Sequence, residues 1–358
     1  MEGSKLVSFG ASKLVPNVQE LAKQPIDTIP PRYVRSDLDA PIIISDPTLT
    51  PTVPVIDMEK LLNGDNMNSE LDRLNSACKD WGFFQLVNHG VNTTLVEKVK
   101  DEIQEFFNLP IEEKKRFWQQ ENEIEGFGQA FVLSDEQKLD WGDMFFMFTL
   151  PKHARKPHLF PKLPLPFRDT MDAYSLESKH LAIKILGMME KSLKMDAKEI
   201  TELFEDGVQS MRMNYYPPCP QPEKVIGLMP HSDPAGLTIL LQVNEMEGLQ
   251  VRKDGIWIPI KPLPNAFVVN IGDVLEIVIN GIYRSIEHRA VVNKLKERLS
   301  IATFYYPRFD SEIGPAHSLV TEKNPALFRR IIVKDYLKGL FASKPCGKSY
   351  LDVMRIDN

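Results

Sequence analysis

The feature that most constrains this chain is a change of rhythm after Phe204. From there to about Tyr306, short apolar or alternating runs recur roughly every 8–12 residues. They are Gln209–Tyr216, Val225–Met229, Leu237–Val243, Leu249–Lys253, Trp257–Lys261, Phe267–Ile271, Val274–Ile279, Glu287–Val292 and Leu299–Tyr305. Turn-forming residues separate them: Pro217-Pro218, Asp254-Gly255, Pro262 with Pro264, Gly272-Asp273 and Asn280-Gly281. Strands of this length and spacing predict a β-sandwich or barrel. Leu237-Thr238-Ile239-Leu240-Leu241 lacks alternation, as expected of a strand buried on both faces.

Upstream the period is helical. Leu71, Leu74, Ala77 and Cys78 predict a helix over 69–79 with Ser69 at its N-cap, and Leu95, Val96, Val99, Ile103 and Phe106 predict another over 93–107. The longest helical pattern runs from Arg168 to Met195. Short strands are expected at Val53–Asp57 and Trp81–Val87, the second ended by Asn88-His89-Gly90. Residues 1–50, broken by Pro30-Pro31, read as an arm on the main body with a short helix at Val18–Lys23. Glu112–Arg116 reads as a solvated helix face with Glu-to-Lys and Glu-to-Arg pairs.

Composition excludes several classes. With 43% hydrophobic and 26% charged residues the chain is neither disordered nor collagen-like. A formal net charge of -6 argues against nucleic acid or an anionic membrane as the main partner. Cys78, Cys219 and Cys346 are too few and scattered for a disulfide framework and suit a reducing compartment. Met1–Lys13 has no apolar signal core, and no stretch reaches the ~18 apolar residues a membrane span needs. A cytoplasmic monomer acting on a small molecule is expected.

Inside the β region, His231-Ser232-Asp233 ends an expected strand. Residues two apart on extended chain point to one side, so an imidazole and a carboxylate converge. His288, near the start of another strand, can supply a third ligand once the sheet folds back. Two His and one Asp on one side of an ion leave neighbouring positions open, the pattern of non-haem Fe(II) oxygenases. Zinc and a purely structural pair of histidines remain rivals. Ten positions after His288 comes Arg298-Leu299-Ser300, whose guanidinium and hydroxyl share a strand face and form a fork for a carboxylate. The bland alternative is a surface Arg298 paired to Glu297 or Asp273. Asn214 and Tyr216 also share a face and can reach the same acid, or cap their strand.

Together these pieces resemble the plant 2-oxoglutarate- and Fe(II)-dependent dioxygenases, whose members include anthocyanidin synthase, flavonol synthase and the opiate O-demethylases. The likeness extends through Val53–Asp57, Trp81–Gly90, Phe106–Pro110, Gly126–Gln129, Leu139–Trp141 and Arg155–Pro161, about Val15 to Ile356 in all. It implies a mixed α and β fold: a double-stranded β-helix (jelly roll) core at 205–310, flanked by helices, with a helix-rich N-terminal region at 51–200 and a C-terminal helix and tail at 311–358. It implies Fe(II) on His231, Asp233 and His288. It implies 2-oxoglutarate on Arg298, Ser300, Tyr216 and Asn214, with ascorbate as reductant. Substrate would lie against Met144, Phe146, Met213, Phe304 and Tyr306. By that resemblance anthocyanidin synthase carries Lys where Met213 stands and Tyr where Met144 stands. The loss of both polar handles points away from a polyphenolic flavonoid and toward a bulkier, more apolar ligand.

The implied activity is hydroxylation or O-demethylation of a small, largely apolar specialised metabolite (alkaloid, terpenoid or phenolic), with O2 consumed and succinate and CO2 as co-products. The alternatives are a non-catalytic binding protein on the same fold and a flavonoid oxidase or desaturase. His89 and Cys219 read as structural, and His153 and His158 as parts of a solvated loop with Arg155 and Lys156. No GxGxxG fingerprint, phosphate loop or Ser-His-Asp arrangement is present.

Overall fold

The computed structural model describes residues 12–25, 28–36, 51–63, 66–120, 123–129, 132, 134–160, 163–342 and 349–356. Residues 37–50 of the expected arm, Cys346 and the terminal Asp357-Asn358 lie outside that set. In chain order the elements begin with α1 (Val18–Ala22), β1 (Val55–Asp57), α2 (Met58–Leu62), α3 (Met67–Asp80), β2 (Phe83–Val87), α4 (Thr93–Asn108) and α5 (Ile111–Lys114). Then come β3 (Gly126–Gly128), β4 (Asp143–Leu150), α6 (Leu165–Leu193), α7 (Thr201–Glu205) and β5 (Val208–Tyr216). The strand-rich half holds β6 (Leu228–His231), β7 (Leu237–Gln242), β8 (Leu249–Lys253), β9 (Ile256–Pro259) and β10 (Phe267–Ile271). It continues with α8 (Asp273–Val278), β11 (His288–Ala290) and β12 (Arg298–Tyr306). The chain closes with β13 (Glu312–Ile313), β14 (Ile331–Ile332), α9 (Val333–Ala342) and α10 (Ser349–Val353).

Two sheets make the jelly-roll core. The larger runs β1-β2-β10-β7-β12-β5-β4-β3, and the smaller runs β6-β11-β8-β9. Among the described strands, β1 and β2 pair in parallel, and the other strand pairings within both sheets are antiparallel. Period-two alternation sorts the large sheet's side chains. Leu237, Ile239, Leu241, Leu299, Ile301, Met211 and Met213 join the main core with α6 residues such as Ala182, Leu186 and Met189. Their alternates Thr238, Leu240, Ser300, Ala302, Arg212 and Asn214 face a cavity that the small sheet walls from the other side.

Several expectations are corrected. Val274–Ile279 is not a strand but α8: the run is buried on every side, and Asp273 and Glu276 occupy its first turn as a helix start favours. Ser69 lies inside α3, because Glu70 in the first turn accepts the Asp57 N–H at 2.8 Å and draws the helix start toward β1. Val225–Met229 slides to Leu228–His231; Pro230 is tolerated because β6 is an edge strand. In the Glu112–Arg116 face, Glu112–Lys115 and Glu113–Arg116 pair at the surface, but Lys114 is buried, its ammonium bonded to Gln19 and to the Phe107 carbonyl. Arg155 is not solvated either: it pairs with Asp172 at 2.5 Å and lies over the Phe160 ring. Among the described residues no helix is long and apolar enough to cross a membrane.

Candidate metal centre and its cavity

His231 is the last residue of β6, and β11 sets His288 directly opposite it in antiparallel register. The imidazoles lie 4.3 Å apart between centroids. Each ring is oriented from behind: Nδ1 of His231 donates to the Met229 carbonyl at 2.8 Å, and Nδ1 of His288 to the Ile286 carbonyl at 3.2 Å. A carbonyl can only accept, so the proton sits on Nδ1 and the Nε2 lone pair is left for a ligand.

Asp233 does not arrive by strand alternation, since β6 ends two residues earlier. It sits on a turn whose position other elements fix. Thr238 of β7 and Asn270 of β10 donate to its Oδ2 at 2.6 and 2.7 Å, which leaves Oδ1 toward the rings. Oδ1 lies 3.5 Å from His231 Nε2 and 3.6 Å from His288 Nε2. One ligand atom from each of the three residues falls within 4.8 Å of the others. Burial alone would raise the Asp233 carboxyl, but His288, His231 and the Thr238 hydroxyl hold it well below the usual carboxylate range. Burial, helped by His231, lowers His288 to about 4. Both groups are thus in their metal-ligating protonation states at neutral pH. Two imidazole nitrogens and one carboxylate oxygen, aimed inward from one side, suit a divalent first-row ion such as Fe(II).

Arg298 stands across the cavity on β12, in the facing sheet rather than on an adjoining strand. It is 2% exposed, so the surface reading fails. Glu297 accepts from Tyr215 and Gln104, and Asp273 from Ser232 and Tyr336; neither pairs with Arg298. The guanidinium donates to Gln242 at 2.8 Å and to the Ser300 hydroxyl at 3.4 Å, and its buried Nε has no partner. Gly248 makes room for it: a Cβ there would sit 2.6 Å from Arg298 Cδ. Register pairs Tyr216 with Arg298 and Asn214 with Ser300, and the Tyr216 ring centroid is 5.3 Å from the guanidinium carbon. The Asn214 Oδ1 is likewise buried and unpartnered. Unspent hydrogen-bonding capacity on buried groups around one cavity is what a bound dicarboxylate would use.

The expected substrate wall divides. Phe304 lines the cavity, and Met144 and Phe146 share its side of the sheet, opposite Asn214 and Arg212 in register. Tyr306 follows on the same face of β12. Met213 does not belong there. It alternates to the other face, opposite Phe145, and packs in the main core. Its neighbour Arg212 lines the cavity with a buried, unpartnered Nε. Arg212 was legible from the parity that links it to Asn214 and Tyr216. A cationic side chain thus lines the cavity one position from Met213. Phe148 and Phe309, not anticipated, extend the aromatic wall: Phe146–Phe148, Phe148–Phe309 and Tyr306–Phe309 have centroids 5.6, 5.9 and 6.0 Å apart.

The lesser candidates are structural. His89 accepts the Val91 N–H and packs on Phe267, and Cys219 is buried in an apolar cluster with Trp141 and Tyr33. His153 is exposed, and His158 faces Glu123 at 3.6 Å.

Comparison with known proteins gives the same direction. Residues 207–307 match the family model of the 2OG-Fe(II) oxygenase superfamily. Residues 53–163 match that of the non-haem dioxygenase in morphine synthesis N-terminal region. Oxoglutarate-dependent flavonoid 7-O-demethylase 1 of Ocimum basilicum is 58% identical over 98% of this chain and 94% of its own length. Codeine O-demethylase of Papaver somniferum is 55% identical over 99% of this chain and 100% of its own. The crystal structure of JOX2 in complex with 2OG, Fe and JA superposes with a TM-score of 0.85 at 36% identity, covering 96% of this chain and 99% of that one.

Proposed function

The chain belongs to the 2OG-Fe(II) oxygenase superfamily and is a 2-oxoglutarate-dependent dioxygenase, and on that premise we propose that it removes a methyl group from an aryl methyl ether of a largely apolar, oxygen-bearing metabolite. The observation that carries the site reading is the buried Arg298, which bonds to no carboxylate among the described residues and shares one cavity with His231, Asp233 and His288. In this reading His231, Asp233 and His288 hold Fe(II), and Arg298, Ser300, Tyr216 and Asn214 hold 2-oxoglutarate. Met144, Phe146, Phe304 and Tyr306, with Arg212, receive the substrate. The choice of demethylation is supported by the two O-demethylases that match over nearly the whole chain. The choice of an oxygenated ring is supported by Arg212 beside an aromatic wall.

When bound, the iron supplies oxidative decarboxylation of 2-oxoglutarate to succinate and CO2, with one oxygen atom of O2 delivered to a substrate C–H bond. The protein's share is binding and exclusion. Arg298 neutralises the distal carboxylate of the co-substrate, and the Ser300 hydroxyl beside it completes the fork. Phe146 and Phe304 keep water from the reacting carbon, and Arg212 orients the substrate through a ring oxygen. A hydroxylated O-methyl is a hemiacetal and collapses to the phenol and formaldehyde, so no protein base is required for that step. Ascorbate as reductant, a cytosolic setting and a single-chain active unit complete the proposal, as the sequence reading has them.

The test incubates the protein with Fe(II), 2-oxoglutarate, ascorbate and a panel of methoxylated flavonoids and alkaloids. The expected result is succinate and formaldehyde in equal amounts, with a product lighter by one CH2. Succinate with a product heavier by one oxygen would make it a hydroxylase. A product lighter by two hydrogens would make it a desaturase. Tight binding without succinate would make it a carrier.

A further inference from the structure

We propose that Asp273 is a positioning residue for the metal centre, tied to the ligand turn through Ser232 and to helix α9 through Tyr336. The inference rests on the reading of His231, Asp233 and His288 as metal ligands. Asp233 stands beyond the end of β6, so no strand ladder holds its backbone. The first turn of α8 does so instead. The Asp273 N–H donates to the Asp233 carbonyl at 2.8 Å, Val274 N–H to Ala235 at 3.1 Å and Gly272 N–H to Gly236 at 2.9 Å. Ser232, between two ligands, donates its hydroxyl to Asp273 Oδ2 at 3.1 Å. The Tyr336 hydroxyl donates to that same oxygen at 3.3 Å. Ser232, Asp273 and Tyr336 are all buried.

A buried carboxylate needs donors, and these two hydroxyls help to hold it in place. Phenylalanine would fill the space of Tyr336 as well; its hydroxyl is what reaches Asp273. α9 is itself anchored, with the Val333 and Lys334 N–H groups donating to Ser311 and Phe309 at 3.0 and 2.9 Å. Through Asp273, α9 is thus coupled to the turn that carries Asp233. Groups that orient metal ligands from behind typically alter affinity by about 10–100-fold when removed.

The experiment titrates the full chain with Co(II), an air-stable stand-in for Fe(II), and reads both affinity and the ligand-field absorption band. Tyr336→Phe and Ser232→Ala are each expected to weaken binding about tenfold and to shift the band, beyond the drop in apo melting temperature that a lost donor to a buried carboxylate brings. Because both act through one carboxylate, the double variant should lose less than the product of the single losses. Ser232→Thr, which keeps a hydroxyl, should retain parental affinity. Tyr350→Phe, whose ring packs on Tyr336 at 5.3 Å, should also bind as the parent does. Parental affinity and band in both Tyr336→Phe and Ser232→Ala, or a loss of melting temperature alone, would overturn the proposal. Parent protein that fails to bind Co(II), or binding that survives His231→Ala, would overturn the ligand assignment and this inference with it.

Discussion

Arg298 and Arg212 share one face of the large sheet, yet their surroundings give them different work. Arg298 is enclosed by Gln242, Ser300 and Tyr216, and its buried Nε has no partner. Arg212 lines the same cavity and stands opposite Phe146 and Ala302 in register. A planar fork can grip a carboxylate with two bonds, whereas an ammonium is a point charge. Arg298→Lys should therefore raise the KM for 2-oxoglutarate about tenfold or more while leaving that for the metabolite nearly unchanged. Arg212→Gln should do the reverse. Steady-state kinetics with each substrate varied in turn separates the two, and an unaltered keto-acid KM in Arg298→Lys would remove that residue from its role.

At the scale of elements, α8 is the piece on which the site leans. Its sequence, Asp273-Val274-Leu275-Glu276-Ile277-Val278, is as apolar and β-branched as a buried strand, and periodicity alone does not separate the two over so short a run. Burial on every side and the bonds of its first turn to residues 233–236 decide for helix. Gly272 sits at the junction because nothing larger fits. A Cβ there would come within 2.0 Å of the Ala235 carbonyl oxygen. Gly272→Ala should cost about 1–3 kcal/mol of stability, as overpacking does, and should weaken metal binding by displacing the Asp233 turn. Urea denaturation of the apo protein beside a Co(II) titration measures both; unchanged values would mean that the turn is held otherwise.

Across the whole molecule, a buried carboxylate of the large sheet is one of the groups that hold the N-terminal arm. Asp143, the first residue of β4, accepts the Val18 N–H at 2.9 Å and the Gln19 N–H at 2.7 Å. Burial raises its carboxyl to about 7, against those N–H groups and Lys114. The folded state thus holds a proton that the unfolded chain releases near its ordinary value of 3.8. This contribution is full below that value and is lost as pH rises through about 7. Asn at this position cannot ionise. The melting temperature of the parent, relative to Asp143→Asn, should accordingly fall between pH 5 and pH 8, roughly the window of this titration. A difference flat across that range would remove Asp143 from the pH response.

What the residues decide by themselves is local: strand period, helix period, donor chemistry and the parity of side chains along one strand. From these, His231, Asp233 and His288, the Arg298–Ser300 fork and the β-rich second half are all legible, and Arg212 was within reach by the same parity rule. What local pattern does not carry is which elements meet. Arg298 sits in the sheet facing the histidines because β12 pairs with β5 and β7, while β11 pairs with β6 and β8. Asp233 reaches its place through Thr238, Asn270 and α8 rather than through its own strand. Those outcomes depend on burial and hydrogen bonds shared between distant segments, and such energies exist only once the sheets have closed over one another.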